Sequence, residues 1–296
     1  MIVKTKRGKI NLAPYLMLIP WFIGMSVFRA YPIGASFWYS LHDYHPILGN
    51  LGFIGLDNYH RMLFRFPHFW DSVRATLFYV LIGSPMVLVT AFFIAYILNF
   101  NLKGVNFFRT MYYVPSILGG NIAVAILWRQ VFASWGPVNA ILELLGFDAI
   151  PWINSVDHAP FVLIFLSAWQ FGSVMLIFLA ALQNVSPTLY EAASIDGARK
   201  IRQLFSITLP IITPVLLFNT INVLIRHFQE FNAALVVTDR GPLRATDFLN
   251  ILIYDYAFLR LEYGLASAMT WMLLLAVGIL ASVLFMSSKY WVHYSD

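Results

Sequence analysis

Six long apolar blocks constrain this chain more than anything else in it: residues 13–40, 75–99, 111–133, 160–183, 208–229 and 265–287. A helix needs roughly 20 predominantly apolar residues to cross the hydrocarbon of a bilayer, and each block supplies them. A membrane barrel would instead show alternating segments of about ten residues. These runs are continuous, so helices are expected. Only 11% of the residues are charged, against about 25% in a soluble domain, which is too few to clothe a water-facing surface. The expectation is an all-α integral membrane protein with six transmembrane helices, forming a single domain over 1–296. No internal repeat, low-complexity tract or linker marks a second domain.

Positive residues orient the spans. The first block follows Lys4, Lys6, Arg7 and Lys9, as the core of a signal peptide would. It is far longer than the roughly 7–15 apolar residues of such a core, so it is expected to stay as a helix. With the N-terminus inside, the inner segments hold those four plus Lys103, Arg109, Arg199, Lys200, Arg202 and Lys289. The outer loops hold Arg61, Arg65, Arg74, Arg240, Arg244 and Arg260. Ten against six favours cytoplasmic N- and C-termini. The net charge of +5 thus points to cytoplasmic loops rather than to nucleic acid. With no cysteine, neither a disulfide framework nor a thiolate metal site is open to the chain.

The loop between the fourth and fifth blocks, 186–206, carries the densest pattern. It reads Ser186-Pro187-Thr188-Leu189-Tyr190-Glu191-Ala192-Ala193-Ser194-Ile195-Asp196-Gly197-Ala198 and runs on through Arg199, Phe205, Ile207 and Leu209 to Pro210 and Pro214. Ser186 suits an N-cap and Pro187 a first helical turn. Gly197 can end that helix in the left-handed conformation. A second short helix over about 198–206 would lead into the next span. Ala192 and Ala193 are small enough for another protein to come close to the backbone, and Glu191 offers a charge for pairing. An ordinary amphipathic helix at the membrane surface has the same features.

Glu-Ala-Ala, a glycine at 197 and the Ile-x-Leu-Pro of Ile207 to Pro210 resemble the EAA loop of bacterial ABC importer permeases. The resemblance implies the type I permease fold in a bacterial inner membrane. It also implies docking of Glu191, Ala192, Ala193, Asp196 and Gly197 into separate ATPase subunits, two per transporter, which bind ATP and Mg. Hydrolysis there would switch the pore between inward-facing and outward-facing states. Tyr31-Pro32, Phe53-Ile54-Gly55-Leu56-Asp57-Asn58-Tyr59, Tyr112-Tyr113-Val114-Pro115 and Phe228-Gln229-Glu230-Phe231-Asn232 are similar to maltose-type carbohydrate permeases. So are Thr238, Gly241, Pro242 and Thr246, although Asp239-Arg240-Gly241 stands where relatives show a glycine pair. That implies an oligosaccharide substrate, a second homologous permease subunit and an extracytoplasmic solute-binding protein. The chain has no G-x-x-x-x-G-K-[ST] loop, so it is not its own P-loop ATPase. It is expected to be a transport subunit with no cofactor of its own, not an enzyme.

Polar side chains within spans are expensive in lipid and mark a candidate pathway. Counted along their helices, Asn121, Gln170 and Asn219 fall at one depth, roughly 15 Å in. On the fifth span Asn219, Asn222, Arg226 and Glu230 form one stripe, and Trp128 and Trp169 adjoin this level. Interhelical hydrogen bonding explains such residues equally simply. Arg29, Arg129 and Arg226 sit higher, where they either snorkel to headgroups or line a positive vestibule. A vestibule would suit an acidic oligosaccharide such as alginate or an oligogalacturonate. Neutral glucans and glycerol phosphates stay open, and Glu230 at i+4 can neutralise Arg226. A stand-alone secondary transporter or channel would want an intramembrane carboxylate relay, and an enzyme acting on lipid-linked sugars would want a D-x-x-D pair. Neither pattern is present.

Overall fold

The computed structural model describes residues 13–100 and 103–293, so Lys4, Lys6, Arg7 and Lys9 lie outside the described residues. The chain begins with α1 (Ala13–Met25) and α2 (Tyr31–Ser40), a hairpin of β1 (His42–His45) and β2 (Gly49–Phe53), and α3 (Asp57–His60). There follow α4 (Pro67–Leu98), α5 (Val105–Leu118), α6 (Ile122–Val131), α7 (Pro137–Leu144), α8 (Ala159–Trp169) and α9 (Gly172–Gln183). Then come α10 (Pro187–Ile195), α11 (Lys200–Gln203), α12 (Leu209–Phe228), α13 (Asn232–Val237), α14 (Leu249–Tyr254) and α15 (Tyr263–Trp291).

Among the described residues, four stretches are long and apolar enough to cross a membrane alone: Tyr15–Ser40, Pro67–Leu98, Lys200–Phe228 and Tyr263–Trp291. The expected third and fourth spans are not single helices. Each is a pair, α5 with α6 bent by 105° and α8 with α9 bent by 45°, which brings the number of spans to six if each pair counts as one. The first break falls at Gly119-Gly120-Asn121. Gly120 takes φ +79°, a left-handed conformation only glycine adopts freely. Asn121 then caps α6, its side chain accepting the Ala123 N–H at 2.9 Å.

The short helix expected over 198–206 is not separate either. α11 passes through a π turn, Leu204–Thr208, straight into α12. The Leu209 N–H reaches back five residues to the Leu204 carbonyl just ahead of Pro210, and Tyr31 does the same to Ser26 just ahead of Pro32. A proline cannot donate the usual i→i−4 bond and crowds that carbonyl, so a wider turn in front of it keeps the helix running.

Two compact units are distinguished, 1–65 with 253–271, and 66–252 with 272–296. In the first, the hairpin is pinned by Asn58, which is 4% exposed and donates to the Ser40 and His42 carbonyls at 3.0 Å each. Tyr59 adds a 2.9 Å bond to Ser40 Oγ, and Arg61 pairs with Glu262 at 2.8 Å.

Two apolar clusters position the helices of the second unit. One joins Val87, Ala91, Ala95 and Leu98 of α4 to Met175, Phe178 and Leu182 of α9 and to Ile212 and Val223 of α12. The i, i+4 alanines let these helices approach closely, as small residues do in membranes. The other joins Tyr79 nearer the start of α4 to Val162, Leu163 and Leu166 of α8, to Ala125 of α6, and to Ala234 and Val237 of α13. The helix breaks fall between the two clusters.

Candidate functional site

Two regions carry the polar chemistry of the second unit. The first is the loop 186–206. Ser186 does not cap α10 with its side chain; its Oγ meets Thr188 Oγ1 at 2.8 Å instead. At the other end Gly197 takes φ +77°, and the Ala198 N–H reaches the Ala193 carbonyl at 2.8 Å, closing the helix with a left-handed cap. Gln203 fastens the turn by donating to Ser194 Oγ at 2.9 Å and to the Ala198 carbonyl at 3.0 Å. Tyr190 bonds Thr208 at 2.9 Å. On this frame Glu191, Ala192, Asp196 and Gly197 are exposed and Ala193 is half-buried. Ile195 is 87% exposed and Ile201 72%, apolar side chains offered outward beside charged ones. A cavity of about 520 Å³ between α10 and the end of α4 is lined by Tyr96, Phe100, Tyr190, Glu191 and Lys200 among others.

The second region is a polar cleft at the helix breaks. Two cavities of about 160 and 260 Å³ share Tyr79, Gly120, Ser167, Gln170 and Glu230 in their walls. Asn121 and Gln229 line the first, and Ser116, Ser173, Arg226 and His227 line the second. Gln170 and Glu230 thus wall both cavities, with Asn121 on one and Arg226 on the other. Asn219 and Asn222 do not join them. Asn219 is 1% exposed, and its Nδ2 finds no partner among the described residues. It shares a helix face with Arg226, but two turns lower, where the cluster around Ile212 and Val223 seals that face. Asn222 is exposed and donates to its own helix at Phe218 O, 2.8 Å away. The tryptophans hold each other, ring centres 5.6 Å apart, and Trp128 donates to Val162 O.

Charge is distributed differently from the i, i+4 expectation. Glu230 turns its carboxylate to α13, where Oε1 accepts the N–H groups of Phe231 at 3.0 Å and Ala233 at 2.9 Å. The ion pairs of the described residues do not include Arg226 with Glu230. Arg129 is spent on the far end of α13, donating to Val236 O at 3.3 Å. Arg29 belongs to the other unit. Arg226 is therefore the one of the three that faces the cleft, and it is exposed there. Tyr79 and Ser167 were missed from sequence because each is a single polar group in an apolar run, and His227 because it stands one residue off the stripe of Asn219, Asn222 and Arg226. Ser84 fixes His227 by a 2.8 Å bond, which ties α4 to α12 beside the cleft. Among the described residues no three His, Asp or Glu side chains converge as a metal would require.

A family model described as "Binding-protein-dependent transport system inner membrane component" matches residues 61–294. The probable ABC transporter permease protein YesP of Bacillus subtilis (strain 168) is 43% identical over 291 residues, covering 97% of this chain and 94% of that one. The sn-glycerol-3-phosphate transport system permease protein UgpA of Shigella flexneri is 33% identical over 278 residues, 92% of each. Among solved structures, a bacterial ABC transporter involved in the import of the acidic polysaccharide alginate superposes with a TM-score of 0.76. That match covers 94% of this chain and 95% of the other at 22% identity, a likeness of fold. A second structure, of a bacterial alginate ABC transporter with an alginate pentasaccharide-bound periplasmic protein, gives the same score.

Proposed function

This chain belongs to the binding-protein-dependent transport system inner membrane component family, and from that membership we propose that it forms half of the pathway by which an oligosaccharide enters a bacterial cell. It is a multi-pass permease subunit, a transport component and not an enzyme. The observation that carries the sugar reading is the cleft where two spans are broken. Irregular backbone at membrane depth is tolerated only against protein or water, and here it is ringed by amides and hydroxyls from Asn121, Gln170, Ser116, Ser167 and Tyr79. Such groups match the many hydroxyls of a sugar chain better than they match a small glycerol phosphate, the cargo in the name of the UgpA relatives.

The partners follow from the same reading. A second permease chain closes the pathway, and two ATPase subunits bind ATP and Mg and dock at Glu191, Ala192, Ala193, Asp196 and Gly197. A solute-binding protein delivers cargo from outside, and both termini lie in the cytoplasm. Purifying the complex with its bound partners and measuring ATP hydrolysis against a panel of oligosaccharides tests this. Stimulation by sugars delivered on the binding protein is expected, whereas stimulation by glycerol phosphates alone would refute the sugar assignment.

An acidic cargo is a second reading, favoured by one observation: Arg226 lines the cleft while Glu230 is engaged by α13 instead of neutralising it. The likeness to an alginate importer agrees with it.

A further inference from the structure

The two broken spans cross where they break, and small residues make the crossing possible. A Cβ on Gly172, the first residue of α9, would stand 2.5 Å from the Tyr112 carbonyl oxygen and 2.8 Å from the Tyr113 Cα. No other residue fits there without moving α5. One residue on, Ser173 Oγ donates to Ser116 Oγ at 3.2 Å. On the other side of the break, a Cβ on Gly119 would lie 2.9 Å from Gln170 Oε1. The segment 170–173 is thus interlocked with 112–119, and both segments form cleft wall.

Below the crossing, α9 is buried in the cluster shared with α4 and α12. It runs roughly 18 Å from Gly172 to Gln183. Only three residues separate it from α10. Above the crossing, α8 belongs to the other cluster. A displacement of α10 therefore reaches the cleft through a rigid rod that ends at this contact, and the 45° bend between α8 and α9 is where the rod can pivot without dragging the second cluster.

We propose that Gly172, with the Ser116–Ser173 contact, is the point at which movement of the loop 186–206 is passed to the cleft, so that α9 must slide or turn against α5 in every transport cycle. Gly172, Ser116 and Ser173 act here as positioning residues. The proposal rests on the reading that an ATPase docks on that loop, but not on what the cargo is.

The chain has no cysteine, so Ser116→Cys with Ser173→Cys introduces one reactive pair into an otherwise inert subunit. With their hydroxyl oxygens 3.2 Å apart the two side chains are in direct contact, which is what bridging the pair by oxidation requires first. In the assembled complex, oxidation is expected to stop ATP hydrolysis and cargo uptake, and reduction to restore both. Each single cysteine variant should be indifferent to oxidant. Gly172→Ala is expected to slow hydrolysis in the assembled complex without changing the ATP concentration that half-saturates it. If this variant fails to assemble, the reversible cross-link still decides. Hydrolysis that proceeds unchanged with the disulfide formed would overturn the proposal. A cargo other than an oligosaccharide would leave the hydrolysis result standing, so failure of the sugar reading is distinguishable from failure of this one.

Discussion

Two side chains show how differently a polar residue can be used within one chain. Asn58 is consumed by structure: both of its donors go to carbonyls that would otherwise be buried without partners. Asn58→Ala should cost about 1–3 kcal/mol, the price of leaving such groups unsatisfied. A lowered thermal midpoint of the purified complex, with unchanged ATPase docking, is the expected result; an unchanged midpoint would deny the amide its structural role. Arg226 is the opposite case, a guanidinium on the cleft wall outside the ion pairs. If the cargo carries carboxylates, Arg226→Gln should weaken a charged hydrogen bond of about 1.5–3 kcal/mol, roughly a ten- to hundredfold rise in KM for sugar-stimulated hydrolysis. The wild-type KM for an oligogalacturonate should also climb with salt, because attraction is screened beyond about 8–10 Å. A KM flat in salt and untouched by the substitution would remove the acidic reading. Helical spacing put Arg226 and Glu230 on neighbouring turns of one helix, although α12 ends at Phe228, before Glu230. It could not foresee that the N–H groups at the start of α13 would claim the carboxylate, since α13 folds back from beyond the span.

Elements were legible in proportion to how far local chemistry decides them. The length of the apolar runs marked the four long spanning stretches and the two bent pairs, and proline and glycine marked both ends of α10. The two broken spans were not read, because apolar residues continue through the breaks and hydropathy is blind to a change of direction. The pair Gly119-Gly120 was the available sign. The region around Gln170 offered only Gly172, whose need to be small comes from another helix. Side-chain capping by Ser186 likewise failed where a neighbouring hydroxyl competed for it. For α10 the prediction concerns docking. Gly197→Asp introduces a Cβ at φ +77°, a left-handed strain of roughly 1–2 kcal/mol, and a negative charge on the exposed loop. With open space around Gly197, no clash adds to this. The subunit should therefore still insert and pair with its partner, while uptake fails and the ATPase binds less tightly. Glu191→Ala should do the same without backbone strain. Normal uptake by both variants in a complemented strain would show that partners dock elsewhere.

For the whole molecule, the exposure of polar groups at membrane depth decides whether one chain suffices. Asn222 is exposed and lies roughly 20 Å along α12 from Leu209. Arg226, one turn further, is also exposed. A polar side chain facing lipid at such depth is expensive, and the broken backbone at 119–121 and 170–172 adds groups that lipid cannot satisfy. A lone chain would bear these costs permanently. A second permease chain placed against this face would turn it into the wall of a shared pathway. Asn222 is outside the cleft that this chain builds by itself, so it reports on what lies opposite. Asn222→Cys, again the sole cysteine, should react with a lipid-soluble maleimide when the chain is expressed alone. In the assembled complex it should be protected from that reagent, and a small water-soluble thiol reagent should reach it from one side of the membrane at a time. Equal reaction with the lipid-soluble reagent in both preparations would mean that this face looks into the bilayer, and the half-pathway arrangement would have to be abandoned.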